Sequence, residues 1–335
     1  MKADMEATSR SELKKKRSKK RVFLWLLIIS VLFLVTGGIG YSFFIYSKAK
    51  AVVSNSYAEI NKSDKRDTEV APVKDNISIL IMGVDESEKR KSQYGEAVRT
   101  DALLLATINK NDKSVKLVSI PRDSRVYIPS RKKVDKITHA HVFGGVESTR
   151  ETVERFLNVP VDYYVKFNFE SFIKIVDSLG GIDLDVPVTF TEQNSKDQAG
   201  AIHLEKGYQH LNGEQSLALA RTRKIDSDAM RGQRQQLVIE TIIKKAVSVN
   251  SITKLSSLLD AVDQNLKTNL TFNDMLAITK NMAGTDLKLE KIQVQGTDKR
   301  IKGIYYYQPD EQNVKGISKQ LNDHLGISGK SESNK

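Results

Sequence analysis

Four arginines lie close together in the segment ARTRKIDSDAMRGQRQQ, which runs from Ala220 to Gln236: Arg221, Arg223, Arg231 and Arg234. Arg221 and Arg223 are two apart, so an extended segment would point both to one side. Arg231 and Arg234 are three apart in the first turns of the helix expected to follow, so they share a face. Asp228 can cap that helix. Cations at a helix start oppose the helix dipole, an unfavourable placement unless an anion or carboxylate sits there. Arginine forks around a helix N-terminus suit a phosphate. A solvated helix face and a nucleic-acid patch are the competing readings. The run lacks the interleaved aromatic rings that stack on bases and falls on the outer side of the membrane span described below, so nucleic acid is not expected as a partner.

Further charged residues stand at the ends of apolar runs. Asp85 ends the first predicted strand, Arg99 and Asp101 open the second, and Arg122, Asp123 and Arg125 follow the third. Ligands of α/β sheets commonly bind at such strand ends, although a surface ion pair is the ordinary reading of any one Arg–Asp neighbour. Two carboxylates beside arginines suit Mg²⁺, which takes one or two carboxylates together with substrate phosphates. His139 and His141 in the motif HAH supply two nitrogen ligands without a clear third. There is no cysteine, which excludes thiolate zinc sites, thiol catalysis and disulfides.

The elements that must carry these residues are legible in outline. ISILIMGVD (77–85) is a near-continuous apolar run, as in a strand buried on both faces. TDALLLATINK (100–110) and SVKLVSIPRD (114–123) predict two strands joined by NKNDK, the second stopping at Pro121. A helix over 147–158 follows, then a strand over 161–169, a helix over 170–179 stopped by Gly180–Gly181, and a strand over 182–188. Helices near 213–221, 229–248, 251–264 and 272–283 and a late strand near 287–295 complete the pattern. Strands mixed with helices in this order imply an α/β fold, a mixed sheet flanked by helices in an α-β-α layered domain over residues 76–324. Residues 325–335 are expected to be a disordered tail.

The chain has 335 residues and a net charge of +12. Residues 1–21 hold nine Lys or Arg and three acidic residues, so half of the basic excess belongs to this tail. Val22 to Tyr46 then runs for 25 residues without a charge, roughly 37 Å as a helix and long enough to cross a bilayer. A cleaved signal peptide would have a shorter apolar region with a small-residue cleavage site. The basic cluster before the span predicts a cytoplasmic N-terminus, a transmembrane signal anchor over 22–46 and an outer region. The tail also suits anionic membrane lipids. The polar residues 47–75 read as an extracellular stalk.

Taken together, GVD, RTDALLLATIN, VSIPRDS, DKITHAHVFGG, VDSLGGIDLDVP, LNGEQSLALARTRKIDSD and RGQRQQ occur in an order that resembles the LytR-CpsA-Psr family across about residues 76–240. The resemblance implies a mixed sheet with an apolar tunnel for a polyprenyl chain. It also implies a phosphotransferase of the outer surface of Gram-positive cells, moving a glycopolymer such as wall teichoic acid from a polyprenyl pyrophosphate carrier onto peptidoglycan. It assigns Asp85 and Asp101 to a divalent cation, Mg²⁺ or Mn²⁺, and Arg99, Arg122, Arg221, Arg223, Arg231 and Arg234 to the pyrophosphate, with catalytic roles for Asp101 and Arg122. The chain departs from the family pattern at Met230, where a glycine is more usual, at His141, where an aromatic is, and in a long loop from Glu86 to Val98. A lipid pyrophosphate hydrolase and a membrane-anchored, non-catalytic regulator of the cell envelope are the alternatives.

Overall fold

A computed structural model describes residues 43–44, 46–48, 50–51, 53–84, 98–222, 228–248, 266–282 and 287–327. Asp85, Arg223, the side chain of Asp228, the helix expected over 251–264 and most of the expected membrane span lie outside the described residues. Among the described residues no helix is long and apolar enough to cross a membrane.

The centre is a six-stranded sheet. Its first three strands follow in sequence: β1 (Ile77–Val84), β2 (Thr100–Asn109) and β3 (Ser114–Ser119). A hairpin of β4 (Arg125–Ile128) and β5 (Lys133–Lys136) leads to helix α1 (His139–Leu157). Then come β6 (Tyr163–Asn168), α2 (Phe169–Ser178) and four short strands, β7 (Ile182–Val186), β8 (Phe190–Glu192), β9 (Ile202–Leu204) and β10 (Gly207–Leu211). They are followed by α3 (Gly213–Arg221), α4 (Asp228–Ser248), β11 (Leu266–Thr268) and α5 (Phe272–Met282). The chain ends with β12 (Lys288–Gln293), the hairpin of β13 (Gly296–Ile301) and β14 (Ile304–Pro309), and α6 (Glu311–Leu325). The central order is β11-β6-β1-β2-β3-β12. β1 pairs parallel with β6 and β3 with β12, whereas the other pairs are antiparallel, so the sheet is mixed.

Successive residues of a strand face opposite sides, and β2 shows how this makes three layers. Leu103 and Leu105 join Val153 and Leu157 of α1 and Leu321 of α6 in one core. Leu104, Ala106 and Ile108 join the opposite core, with Met282 of α5 and Ile239 of α4. Burial on both faces explains why β1 and β2 read as continuous apolar runs. A further core ties α2, β7, β10 and α3 together through Val176, Ile182, Leu211 and Leu219.

Three expectations need correction. The segment expected as an extracellular stalk, 47–75, packs on the domain from residue 53 onward: Val53 and Ser63 are buried. Arg66 grips Asp162 with Nε and Nη2 at 2.8 and 2.7 Å, and Ala58 N donates to Thr268 O. A bidentate guanidinium–carboxylate pair fixes both partners in place, and composition alone does not reveal it. The helix expected from Glu147 starts at His139 and passes through a break at Gly144 and Gly145, the latter at φ 61°. No helix was expected after the late strand, whereas α6 runs from Glu311 to Leu325, capped by Asp310 at its start and Gly326 at its end.

His324 closes α6 onto the sheet. Its ring nitrogens bond Thr107 Oγ1 and Ser114 Oγ, each at 2.8 Å, and its carbonyl accepts from Asn109 Nδ2 at 2.9 Å. Burial, aided by the charge of Lys116, holds its pKa below the ordinary 6.5. The folded chain therefore resists a proton that the unfolded chain accepts. This contribution to stability is intact above about pH 6.5 and is lost as the pH falls below it, through the folded-state value. Thermal melts from pH 8 to 5 will show a steeper loss of Tm below about pH 6.5 in the wild type than in His324→Gln.

Candidate functional site: a cationic, aromatic-walled cavity

The C-terminal ends of β1, β3, β6 and β12 and the start of β2 lie along one edge of the sheet. Val84 faces Thr100 and Asn168, and Ser119 faces Leu104 and Gln293. Asp101 opens β2 and Arg122 follows β3, so the edge brings them together: Arg122 Nη1 donates to Asp101 Oδ1. Asp123 holds the same guanidinium from behind, its Oδ2 3.7 Å from Arg122 Nε, while its Oδ1 meets Lys136 Nζ at 2.9 Å. The Arg122 side chain is 17% exposed and that of Asp101 29%. The pair is therefore sheltered but open to a ligand.

The helices bring the other arginines. Asn212 and Gln215 form a capping box at the start of α3, which satisfies two backbone donors there. A Cβ at Gly213 would lie 2.5 Å from Ile173 O, so only glycine lets α3 rest this closely on α2. Arg221 ends α3, donating from Nη2 to Asn194 O at 3.2 Å, with its guanidinium carbon 5.7 Å from the Phe169 ring centroid. Arg231 lies in the first turn of α4 and is 4% exposed. A Cβ on the adjacent Gly232 would come within 2.8 Å of Ser119 Oγ, so α4 sits tight against the end of β3. Gln236 Nε2 fastens it there, donating to Leu117 O at 2.9 Å and Ile292 O at 2.7 Å.

These elements enclose a cavity of about 470 Å³. Asp101, Arg122, Arg221, Arg231 and Gln235 form its charged part. Phe167 of β6, Phe169 and Phe172 of α2, and Val238 and Ile239 of α4 form an apolar wall. Glu192 at the end of β8, and Gln193, Ser195 and Asp197 just after it, complete the polar side. Ser195 N donates to Glu214 Oε2 at 2.9 Å, tying that segment to the first turn of α3. Chemically, such a space accepts a molecule with a multiply anionic centre and an apolar chain.

Four of the residues singled out from sequence, Asp101, Arg122, Arg221 and Arg231, thus meet at one cavity. Arg99 is exposed, one residue before β2, and does not line it. Arg234 does not line it either. Although Arg231 and Arg234 share a helix face, Arg234 is buried and donates from Nε to Leu219 O at 3.2 Å and from Nη2 to Thr222 O at 2.8 Å. It thereby satisfies carbonyls left over where α3 ends, and holds the turn that carries Arg221. His139 and His141 take different partners, Asp135 and Val98 O, and among the described residues no group of three or more His, Cys, Asp or Glu could hold a metal. The aromatic wall escaped sequence reading, although Phe167 and Phe169, two apart in KFNFESF, carried a signal of a shared side. Glu192 to Asp197 carried none.

The sequence and the fold match known proteins. The LytR_cpsA_psr family model matches residues 41–323. The chain belongs to the LytR_cpsA_psr family. It is 40% identical over 317 residues to the polyisoprenyl-teichoic acid–peptidoglycan teichoic acid transferase TagU of Bacillus subtilis (strain 168), covering 93% of this chain and 99% of that one. Among solved structures, "TagT bound to LI-WTA" superposes with a TM-score of 0.68 at 38% identity, covering 81% of this chain and 99% of the other. The family protein YwtF (TagT) with bound octaprenyl pyrophosphate lipid gives a TM-score of 0.63 at 35% identity, covering 81% and 99%.

The placement of Arg234 has a measurable consequence. Arg234→Ala strands two carbonyls, at Leu219 and Thr222, and lowers stability by about 2–4 kcal/mol. Arg221→Ala, at the cavity wall, costs about 1 kcal/mol or less. Urea unfolding of the two variants checks the difference.

Proposed function

We propose that this LytR_cpsA_psr protein is a membrane-anchored phosphotransferase. It moves an anionic glycopolymer, wall teichoic acid in our reading, from a polyprenyl pyrophosphate carrier to peptidoglycan during cell wall biogenesis. The carrying observation is the convergence of Asp101, Arg122, Arg221 and Arg231 at the charged part of a cavity walled elsewhere by phenylalanines. A pyrophosphate bearing a prenyl chain has the same division of character. Relatives that carry the transferase name or were solved with octaprenyl pyrophosphate support the reading. The uncharged run 22–46 behind a basic tail supports a single-pass anchor with the N-terminus in the cytoplasm and the catalytic domain outside a Gram-positive cell.

In this mechanism the guanidinium groups of Arg122, Arg221 and Arg231 grip the diphosphate and orient the phosphorus nearest the glycopolymer. A peptidoglycan sugar hydroxyl attacks that phosphorus. The bond to the bridging oxygen breaks, and polyprenyl phosphate leaves. Phosphoryl transfer of this kind depends on positioning and on stabilising charge at the departing oxygen, which fixed guanidinium groups provide in a sheltered site. The phenylalanine wall excludes water from the prenyl side. Arg234 acts indirectly, by holding the end of α3. Asp101 orients Arg122 and is the carboxylate we assign to the hydroxyl proton.

Carboxylate oxygens beside a phosphate site suit Mg²⁺ or Mn²⁺, and Asp101 is such a donor. Asp101 would hold the ion together with Asp85 and substrate oxygens, and the ion would supply further neutralisation of phosphate charge. Arg99 and Arg223 are assigned to the pyrophosphate on the family pattern alone.

Arg122→Ala will lower transfer of polymer from lipid-linked donor to peptidoglycan oligomers by roughly a hundred- to a thousandfold, with an unchanged circular dichroism spectrum. Activity at the wild-type level would refute the clamp, and release of polymer without joining would favour the hydrolase. For the Asp101→Asn variant, we expect slower transfer and a higher Mg²⁺ concentration for half-maximal rate, read from a metal titration. Equal metal dependence in the variant and the wild type would remove Asp101 from the metal site.

A further inference from the structure

We infer that the outer face of the two hairpins beside Arg122 is a second binding surface, which holds the phosphodiester-linked glycan of the donor while its pyrophosphate occupies the cavity. The inference rests on the donor reading above and adds a site for the part of the donor that the cavity does not hold.

The chain leaves the cavity at Arg122 and enters β4 three residues later. In the β4–β5 hairpin Val126 and Ile128 point into the core. Their cross-strand neighbours in the other alternation, Arg125 opposite Lys136 and Tyr127 opposite Val134, therefore make the outer face. Tyr127 and Val134 are 38% and 44% exposed. Like charges directly opposite one another destabilise a strand pair, and Asp123 meets only the Lys136 side of this one. An anion lying across Arg125 and Lys136 would remove the conflict.

The β13–β14 hairpin adjoins this face along β14, presenting Tyr305 with Arg300 on one side and Tyr306 with Lys299 on the other. Ser124 bridges Tyr307, and Tyr307 N donates to Asp123 O at 2.9 Å. Lys136 Nζ stands 5.7 Å from the ring centroids of both Tyr305 and Tyr306. Arg300 is opposite Tyr305, and Lys299 is opposite Tyr306. Lys299, Arg300 and Lys302 are exposed. Residues 123–136 and 296–309 together hold eight Lys or Arg against three Asp. Cations interleaved with half-buried tyrosine rings fit a polymer that alternates phosphate with sugar or polyol. A peptidoglycan strand, with far fewer charges, leaves most of these cations unanswered. The position also suits the donor. The phenylalanine wall comes from β6 and α2, on the far side of β1 and β2 in the sheet, while both hairpins follow from the β3–β12 side. A donor with its prenyl chain on the first side therefore sends its polymer toward the second.

The test uses the full-length protein in detergent, comparing wild type with the triple variant Lys299→Glu/Arg300→Glu/Lys302→Glu and with Arg125→Gln. Each is titrated at low salt with lipid-free poly(glycerol phosphate), with octaprenyl pyrophosphate and with phosphatidylglycerol vesicles. We expect polymer affinity to fall about tenfold or more in the triple variant and to fall measurably in Arg125→Gln. Binding of octaprenyl pyrophosphate stays at the wild-type level. Unchanged polymer affinity in both variants overturns the inference, and so does loss of vesicle binding alone, which would make the surface a membrane contact. Failure of the wild type to bind octaprenyl pyrophosphate would instead overturn the donor reading. Arg125→Gln, an uncharged change at a partly exposed position, keeps the test decisive should the triple variant not fold.

Discussion

A guanidinium group taken out of water must find acceptors, and the architecture around the cavity follows from where each arginine finds them. Arg122 is held between Asp101 at the start of β2 and Asp123 behind it. This places a cation at the open edge of the sheet while its charge remains partly answered. Arg234 is satisfied by the carbonyls of Leu219 and Thr222, which fixes the end of α3 and hence the place of Arg221. The arginines thus divide into those that line the cavity and one that holds the lining in place. A buried cation is costly unless it is well bonded, so the site depends on this scaffold of acceptors.

The fold then decides what the cationic edge can hold. The mixed sheet sets β6, with Phe167, and the α2 phenylalanines that follow it on one side of β1 and β2, and the exit of β3 on the other. Helix α4 spans both, contributing Arg231 near its start and Val238 and Ile239 further along to one cavity. The close seat of Gly232 on Ser119 and the two bonds from Gln236 make this spanning rigid. An amphipathic ligand is therefore sorted by the protein itself, with apolar chain and anionic centre directed to different walls. Membership in the LytR_cpsA_psr family places this geometry among proteins that carry a transferase name.

Much of this was legible in the sequence because the strongest signals coincide with the strongest constraints. β1 and β2 are buried on both faces and read as apolar runs, and α3 and α4 carry long apolar stretches after recognisable starts. Asp101 and Arg122 stand out because they sit at the ends of apolar strands, Arg221 because of its spacing from Arg223, and Arg231 because a cation at a helix start opposes the dipole. The short strands from β8 to β11 and the two hairpins have too few residues for periodicity to register, and tertiary pairing forms them, whereas β7 was expected over 182–188 and runs from Ile182 to Val186. α6 was missed because Gly316 and polar residues dilute its pattern, although Asp310 and Gly326 mark its ends. Arg234 looked like a ligand residue because spacing on a helix tells which residues share a face but not which acceptors lie opposite. The packing of residues 53–75 was hidden for a similar reason, since the partner of Arg66 is Asp162, nearly a hundred residues away.

The most direct measurement is a crystal structure of this protein soaked with octaprenyl pyrophosphate. The account predicts both phosphates within hydrogen-bonding distance of Arg122, Arg221 and Arg231, with the prenyl chain against Phe167, Phe169 and Phe172. Phosphates bound away from these three guanidinium groups, or a prenyl chain lying outside the phenylalanine wall, would contradict it.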